Sequence, residues 1–309
     1  MISIVVPVFN EEESLEQFYS VLVSSLAKLG AYEIVFVDDG STDSSLDLMK
    51  KLAAKDKKIR IFSFRKNQGK AEALTLGFKM AKGDYIVTLD ADLQDRPEEI
   101  KNLLDKLKEG YDVVSGWKKN RKDSLKTVLS SRLFNSILSV LWGVHLHDYN
   151  CGLKAYTKDA AKSLDLYGGM HRFIPLLVAS KGFAITEVPV IHEKRKYGKS
   201  KYGFSKIFKE APDMLTILFL TRFAKRPLHF FGFVGGLASF LGSMILLYLF
   251  ILHLMGQRVG TRPLLTFGIL LVLAGFQVLF TGFLADLILH INSQNNHSDG
   301  EERLKYKTE

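Results

Sequence analysis

The sequence predicts an α/β fold, with a mostly parallel sheet covered by helices on both faces, followed by an α-helical hairpin that spans a membrane. Two observations predict this. Apolar β-branched runs alternate with helical patterns near the N-terminus, and the segment from Leu228 to Leu289 is almost wholly apolar. The chain before that segment is an ordinary charged mixture. The length of 309 residues accommodates one domain of usual size and this additional segment.

Strand and helix patterns follow one another through the first ninety residues. Repeated strand–helix–strand order is typical of a parallel sheet with helices on both faces. Ligands of such sheets bind beyond the carboxyl ends of the strands. The predicted strands are 2–8, 33–37, 59–64 and 85–89, and the predicted helices are 12–29, 44–55 and 71–82.

Two segments are long enough to cross a bilayer. Neither Phe230–Leu252 nor Leu264–Ala285 contains Asp, Glu, Lys or Arg, and a transmembrane helix needs about 20 apolar residues. The alternative is a pair of helices buried in a soluble core. Glycines in both segments would let the helices pack closely, and the same helices are candidates for a homo-oligomer interface.

A short connection between the two spans predicts a hairpin with both ends on one side of the membrane. Arg222, Lys225 and Arg226 precede the first span and favour a cytoplasmic start, although Arg258 and Arg262 in the connection oppose it. The predicted organisation is a domain over 1–210, an amphipathic juxtamembrane segment over 211–227, two spans within 228–290 (about 230–252 and 264–286), and a polar cytoplasmic tail over 291–309.

The net charge of +9 points to an anionic partner, either nucleic acid, anionic lipid or a phosphorylated small molecule. The apolar C-terminal segment favours the last two. The basic residues lack interleaved stacking aromatics, so we do not expect nucleic acid. Cys151 is the single cysteine, which excludes an internal disulfide.

Acidic residues follow the fourth predicted strand. Asp90 and Asp92 flank Ala91, and Gln94 comes shortly after. Two carboxylates at this spacing suit Mg²⁺ or Mn²⁺ shared with a diphosphate. By itself the pattern is also that of a solvated turn.

The first two strands also end in polar loops. Residues 7–12 read Pro-Val-Phe-Asn-Glu-Glu, and residues 38–43 read Asp-Asp-Gly-Ser-Thr-Asp. One interpretation is a pair of tight turns, with Ser41 or Thr42 capping a helix. The other is a nucleotide pocket in which a carboxylate accepts hydrogen bonds from a base or ribose.

The segments VPVFNEEES, VDDGSTD, NQGKAEAL and LDADLQD, in this order, resemble the inverting family 2 glycosyltransferases of GT-A fold. Further segments, including SGWKKNRKD, DYNCGLKAY and EVPVIHEKRKYGKSKYG, resemble the branch of dolichyl-phosphate mannose synthases and bacterial polyprenyl-phosphate sugar transferases. The resemblance implies a metal, Mg²⁺ or Mn²⁺, on Asp90, Asp92 and Gln94. It also implies a set of nucleotide-sugar-binding residues: Pro7, Val8, Asn10, Glu11, Asp38, Asp39, Lys70 and Asp90.

Basic residues complete the site that the resemblance implies. Arg195 and Lys199 would hold the donor diphosphate, and Lys118, Arg121 and Arg132 the acceptor phosphate. Asp92, Lys118 and Arg132 are the residues expected to carry catalysis. The alternative is that these basic residues form a membrane-facing surface attracted to anionic lipid.

The implied reaction transfers a sugar from a UDP- or GDP-sugar to undecaprenyl or dolichyl phosphate, at the cytoplasmic face of a bacterial inner membrane. A phosphate monoester has a second pKa of about 6, so the acceptor needs positioning more than deprotonation. The alternatives are a processive polysaccharide synthase and a non-enzymatic membrane scaffold. The chain lacks the Gln-x-x-Arg-Trp motif of the synthases.

Overall fold

The computed structural model describes residues 1–119, 135–136, 138–140, 142–193, 206–224, 226–260 and 262–295, without the side chains of 206–211 and 292–295. The chain divides into two compact units, Met1–Ile217 and Leu218–Glu309. The first contains the sheet, and the second contains two long apolar helices.

A seven-stranded sheet organises the first unit, in the order β3-β2-β1-β4-β6-β5-β7. The strands β1 to β4 carry the alternating pattern seen in the sequence, and β5 to β7 extend the sheet beyond β4. Their bounds are Ile2–Val8 (β1), Tyr32–Asp38 (β2), Ile59–Ser63 (β3), Tyr85–Thr88 (β4), Val113–Lys118 (β5), Lys154–Thr157 (β6) and Ile185–Val190 (β7).

Helices connect and cover these strands. They are Leu15–Leu26 (α1), Ser45–Lys55 (α2), Lys70–Met80 (α3), Ile100–Leu107 (α4), Lys158–Lys162 (α5), Ile174–Ser180 (α6) and Lys206–Leu218 (α7). A π-helical turn, Phe219–Phe223, follows α7 at the start of the second unit. Short 3₁₀ turns precede α4 and α6.

The sheet is mostly parallel, as the sequence predicts, but β6 runs antiparallel to both of its neighbours, β4 and β5. Strand β1 pairs in parallel with β2 and β4, and β5 pairs in parallel with β7. The carboxyl ends of these parallel strands therefore share one edge of the sheet with the amino end of β6. The polar loops that follow β1, β2 and β4 therefore lie at this edge.

Apolar side chains fill both faces of the sheet. On one face, α1 buries Leu15, Phe18, Leu22 and Leu26, which follow the three- and four-residue spacing of a helical stripe. On the other face, α3 lies so close to β1 that a Cβ added at Gly77 would come within 2.2 Å of Val5 Cγ1. The glycine sets this distance because no side chain fits between the helix and the sheet.

The first helix begins later than its apolar pattern suggests. We predicted a helix over 12–29, and α1 spans Leu15–Leu26. The Glu12 carboxylate accepts a hydrogen bond from the Ser44 N–H at 2.9 Å, and the Ser14 hydroxyl donates to Glu11 Oε2 at 2.8 Å. These residues thus form the loop that joins β1 to α1.

The second unit is a helical hairpin. Its helices are Pro227–Leu254 (α8) and Pro263–Asn295 (α9), and both are long and apolar enough to cross a membrane. The predicted spans, 230–252 and 264–286, lie inside these helices. A Cβ added at Gly235 would meet the Gly275 carbonyl oxygen at 2.5 Å, so glycines permit the close helix contact.

Candidate active site

The loops after β1 and β2 are joined by hydrogen bonds. The Asn10 side-chain oxygen accepts from the Thr42 N–H at 2.8 Å, and the Asn10 N–H donates to Ser41 Oγ at 3.0 Å. The Glu11 N–H donates to Ser45 Oγ at 2.8 Å. Asn10 and Glu11 therefore help to fix the shape of the predicted nucleotide pocket, while Pro7 and Val8 form the end of β1 beneath it.

Asp38 is buried at the end of β2. Its Oδ1 accepts from the Ser41 N–H at 3.1 Å, and its Oδ2 accepts from the Ser63 hydroxyl at 2.6 Å. Both oxygens are therefore engaged inside the protein. The position of Asp38 favours a role in shaping the loop over direct contact with a ligand.

Asp39 holds the loop that precedes α3. Its carboxylate accepts from the Gln68 N–H at 2.7 Å, from the Gly69 N–H, and from the Asn67 side-chain amide at 3.0 Å. Burial raises the pKa of Asp39 above its ordinary value, although the two backbone donors oppose the shift. Asp39 thus ties the second strand end to the start of α3, where Lys70 lies.

Lys70 and Asp90 form an ion pair at the centre of the edge. Lys70 Nζ donates to both Asp90 oxygens, at 2.6 and 2.7 Å. Burial alone would lower the pKa of Lys70, but the neighbouring Asp90 carboxylate outweighs burial and raises it. The predicted donor-binding lysine therefore stays charged and directly contacts a predicted metal ligand.

The loop over residues 90–95 has a strained backbone. Leu93, between Asp92 and Gln94, adopts a φ of 60°, which is uncommon for a branched residue. The Asp92 Oδ1 accepts from the Gln94 N–H at 3.1 Å. Strain of this kind is concentrated at functional sites and persists where surrounding contacts enforce it.

Gly152 packs against the same loop. A Cβ added there would lie 2.5 Å from Asp90 Oδ2 and 3.2 Å from Asp95 Oδ2. The Thr88 hydroxyl donates to the Gly152 carbonyl at 2.8 Å and holds it against β4. Only glycine leaves both carboxylates in these positions.

Asp95 links the loop over residues 90–95 to the ends of β5 and β7. We call this loop the metal loop, after its predicted metal ligands Asp90, Asp92 and Gln94. The Asp95 Oδ1 lies 3.8 Å from Lys118 Nζ and 3.3 Å from His192 Nδ1. Burial alone would raise the pKa of Asp95, but Lys118 and His192 outweigh burial and lower it to about 2. Asp95 in turn outweighs the effect of burial on Lys118 and raises the pKa of that lysine, which stays charged.

The segment after β7 pairs with the metal loop. The Glu193 N–H donates to the Gln94 carbonyl at 2.8 Å, and Asp95 and His192 form an isolated antiparallel bridge. The Arg96 guanidinium also binds the Glu193 carboxylate. These contacts bring the chain just before Arg195 next to the loop of the acidic pair.

The loop over residues 90–95 carries carboxylates of the kind that bind a divalent cation together with a substrate. In the described part of the chain, no three His, Cys, Asp or Glu residues form a complete metal cage. Mg²⁺ and similar ions often use one or two carboxylates and take substrate phosphates and water as their remaining ligands. Asp90 and Asp92, with Gln94 beside them, provide that kind of partial site.

Most of the predicted site lies at one edge of the sheet. Arg121, Arg132, Arg195 and Lys199 fall outside the described residues, so their predicted roles rest on the sequence. Sequence reasoning assigned no role to Gly152, to His192, or to Asp95 beyond its place after Gln94. Of these, Asp95 had a signal in the sequence, since it lies close after Asp92 and next to Gln94, whereas the other two enter the site through sheet pairing.

The comparisons with known proteins agree with this architecture. The family model of glycosyl transferase family 2 matches residues 3–165. A dodecaprenyl-phosphate galacturonate synthase of Rhizobium johnstonii is 38% identical over 93% of this chain and 87% of that protein. An undecaprenyl-phosphate 4-deoxy-4-formamido-L-arabinose transferase of Shewanella sediminis is 36% identical over 99% and 90%.

A solved structure shares the fold. It is the glucosyl-3-phosphoglycerate synthase of Mycobacterium tuberculosis in complex with Mn²⁺, UDP and phosphoglyceric acid, with a TM-score of 0.54. It is 21% identical and covers 72% of this chain and 78% of its own. The sequence relatives are matched over nearly their whole length, and the family model covers more than half of this chain. The chain therefore belongs to glycosyl transferase family 2.

Proposed function

We propose that this protein transfers a sugar from a nucleotide-diphosphate sugar to a polyprenyl phosphate, with inversion at the anomeric carbon. The observation that carries the proposal is the meeting of three features at one sheet edge: the Asp90–Asp92 loop, Lys70 and Lys118. The Rhizobium and Shewanella relatives, matched along nearly the whole chain, are named for transfer to dodecaprenyl and undecaprenyl phosphate.

The donor nucleotide would occupy the pocket between the first two strand ends. Asn10 and Glu11 join the two strand-end loops through hydrogen bonds to Ser41 and Ser45, and Asp39 anchors the loop that precedes Lys70. Lys70, which binds Asp90 in the structure, would contribute its positive charge to binding the diphosphate. UDP and GDP donors are both compatible with these groups.

A divalent cation, Mg²⁺ or Mn²⁺, would be held by Asp90, Asp92 and Gln94. When bound, it would neutralise negative charge on the leaving nucleoside diphosphate. Arg195 and Lys199, which follow the segment paired with the metal loop, would add positive charge on the donor side.

The acceptor phosphate would bind close to Lys118. A phosphate monoester is largely ionised near neutral pH, so its oxygen can attack the anomeric carbon without a general base. The protein's part is to place that oxygen in line and to balance its charge. Lys118 is kept protonated by Asp95. Arg121 and Arg132 are the further candidates for binding the acceptor phosphate.

The membrane hairpin would keep the active site at the lipid surface. We propose that residues 1–210 form the transferase domain, that 211–227 lie at the membrane interface, and that both chain ends are cytoplasmic. The polar tail would cover residues 291–309. Homo-oligomer formation through the helices remains a prediction.

The test is a panel of nucleotide-sugars with the purified full-length protein and undecaprenyl phosphate, read by mass spectrometry of the lipid. The expected product carries one sugar on the phosphate. Undecaprenol, which lacks the phosphate, is the matched control and should yield no product. Polymer formation would favour the processive synthase, and the absence of any lipid product across the panel would contradict the proposal.

A further inference from the structure

His192 lies in the segment that follows β7, where the backbone pairs with the metal loop. Asp95 and His192 form an antiparallel bridge, and the Glu193 N–H donates to the Gln94 carbonyl at 2.8 Å. The imidazole of His192 is only 9% exposed. The pairing therefore carries this ring inside the protein, against side chains of the metal loop.

The two ring nitrogens of His192 contact two different residues of that loop. Nδ1 lies 3.3 Å from Asp95 Oδ1, and Nε2 lies 3.5 Å from the side-chain nitrogen of Gln94. An ionised carboxylate can only accept a hydrogen bond, so the proton between the first pair belongs to Nδ1. The neutral imidazole then presents a lone pair at Nε2, because the hydrogen bond made by one ring nitrogen decides the role of the other.

These neighbours determine which way the Gln94 amide faces. Its nitrogen lies 3.5 Å from the Glu193 carbonyl oxygen as well as from His192 Nε2. Both groups are acceptors, so they favour the NH₂ end of the amide and repel its oxygen. The planar amide holds its oxygen on the other side from its nitrogen. Gln94 Oε1 therefore points away from the segment after β7.

The orientation of this amide matters for a metal ligand. Mg²⁺ and Mn²⁺ bind amide side chains through oxygen, so Gln94 can serve as the predicted ligand in only one of its two amide orientations. A flipped amide would present hydrogens to the cation and would place its oxygen against two acceptors. Groups behind a metal ligand commonly orient it in this way, and their loss weakens metal binding.

We propose that His192 is a positioning residue, which holds the Gln94 side chain with its oxygen available to the divalent cation. The inference rests on the proposed function, since it concerns the cation that Asp90, Asp92 and Gln94 would hold. Asp95 completes the arrangement by keeping the His192 proton on Nδ1. His192 acts through Gln94 and needs no contact with the cation or with either substrate.

The experiment measures the Mn²⁺ affinity of the full-length protein in detergent, from the electron paramagnetic resonance signal of free Mn²⁺. Excess UDP and, in parallel, excess GDP are present, at pH 8, where an ordinary imidazole is neutral. His192→Phe keeps a ring and removes both nitrogens, and it should weaken Mn²⁺ binding about tenfold. His192→Asn, whose amide nitrogen can replace only Nδ1, should weaken it similarly.

Two further variants serve as controls for these losses. His192→Gln can place its amide oxygen where Nε2 lies, and it should retain more of the Mn²⁺ affinity than His192→Phe or His192→Asn. His145→Asn makes the same substitution at an exposed histidine outside the site, and it should bind Mn²⁺ as the wild type does.

A double-mutant cycle tests whether His192 acts through Gln94. Gln94→Ala removes the amide and should itself weaken Mn²⁺ binding. Adding His192→Phe to Gln94→Ala should then change the affinity by less than about twofold, because the group that His192 orients is already gone. A merely structural role for His192 would make the two losses multiply. Should His192→Phe not fold, His192→Asn takes its place in the cycle.

The outcomes separate this inference from the proposed function. Unchanged Mn²⁺ affinity in both His192→Phe and His192→Asn, or losses that multiply in the cycle, would overturn the inference and leave the transferase standing. Wild-type affinity in Gln94→Ala would also overturn it, because Gln94 would then not be a ligand. If the wild type binds no Mn²⁺ with either nucleotide, the metal part of the proposed function fails as well, while the lipid-product assay separately decides sugar transfer.

Discussion

The ion pair of Lys70 with Asp90 prepares a carboxylate at the metal loop before any substrate binds. Both Asp90 oxygens contact the ammonium, while Asp92 contacts the backbone of its own loop. A carboxylate held this way is already oriented, so less conformational freedom would be lost on binding of the proposed ion and diphosphate. The two acidic residues thus differ in their surroundings despite their close spacing.

At the residue scale, we predict that Asp92→Asn lowers transfer by about 100-fold or more, because it removes a charge proposed to hold the metal. The fold should survive, since Asp92 lies in a loop beyond a strand end. The melting temperature in detergent should change by no more than about 3 °C. Excess chelator should abolish the wild-type activity, and Mg²⁺ or Mn²⁺ should restore it.

The matched control for Asp92→Asn is Asp105→Asn on α4, a carboxylate whose side chain is 53% exposed. Its ion pair with Lys108 is a surface contact of little energetic value. Activity should stay near normal in this variant. Full wild-type activity in excess chelator would remove the metal from the proposed mechanism.

Cys151 gives a second prediction at this scale. Its side chain is buried, and burial raises the pKa of the thiol to about 12. Only about one thiol in ten thousand is then ionised at pH 8, and the thiolate is the reactive form. We expect the folded protein to resist maleimide at pH 8 for hours and the unfolded protein to react within minutes. Rapid labelling of the folded protein, measured by intact mass, would contradict the buried position.

At the scale of elements, pairing between loops holds the residues directly after β7, up to Glu193, near Asp90 and Asp92. The backbone of Glu193 bonds to Gln94, and the buried Asp95 carboxylate binds His192. Lys118 reaches the same carboxylate from the end of β5. The Asp95 side chain therefore holds together three elements that are distant in sequence: its own loop, the end of β5 and the segment after β7.

The helical hairpin provides a prediction with a built-in control. Gly235 and Gly236 are adjacent in α8, but a Cβ at Gly235 would meet the Gly275 carbonyl at 2.5 Å, whereas nothing lies within 4 Å of one at Gly236. Gly235→Leu should destabilise the hairpin by roughly 1–3 kcal/mol, as overpacking does elsewhere. Gly236→Leu should have little effect. Thermal unfolding in detergent compares the two, and equal losses would show that this contact does not hold the helices together.

At the scale of the whole molecule, two spans predict that the N-terminus and the tail after Ile291 share one side of the membrane. The basic residues Arg222 and Arg226 before α8 favour the cytoplasmic side. Reporter fusions at the two chain ends should behave alike, and a fusion near Gly256 should report the opposite side. Chain ends on different faces would refute the hairpin topology.

The sequence by itself determined the α/β class, the first four strands, the two apolar helices and the polar loops at the strand ends. It could do so because these features depend on local patterns: β-branched runs, helical spacing, and the length of an apolar stretch. Asp90, Asp92 and Lys70 belong to short sequence segments, and the resemblance of these segments to a known family can be recognised from the sequence alone.

Only the tertiary structure decided how distant residues meet. Strand β6 is antiparallel, and this places Lys154 and Gly152 at the same edge as Asp90. No local pattern predicts the antiparallel direction of β6, because that direction depends on which strands pair. Asp38 is a second case: the structure shows that its carboxylate is buried and accepts two hydrogen bonds, which its acidic motif alone does not reveal. Local sequence sets what each segment can form, and packing between distant segments sets which side chains face the substrate.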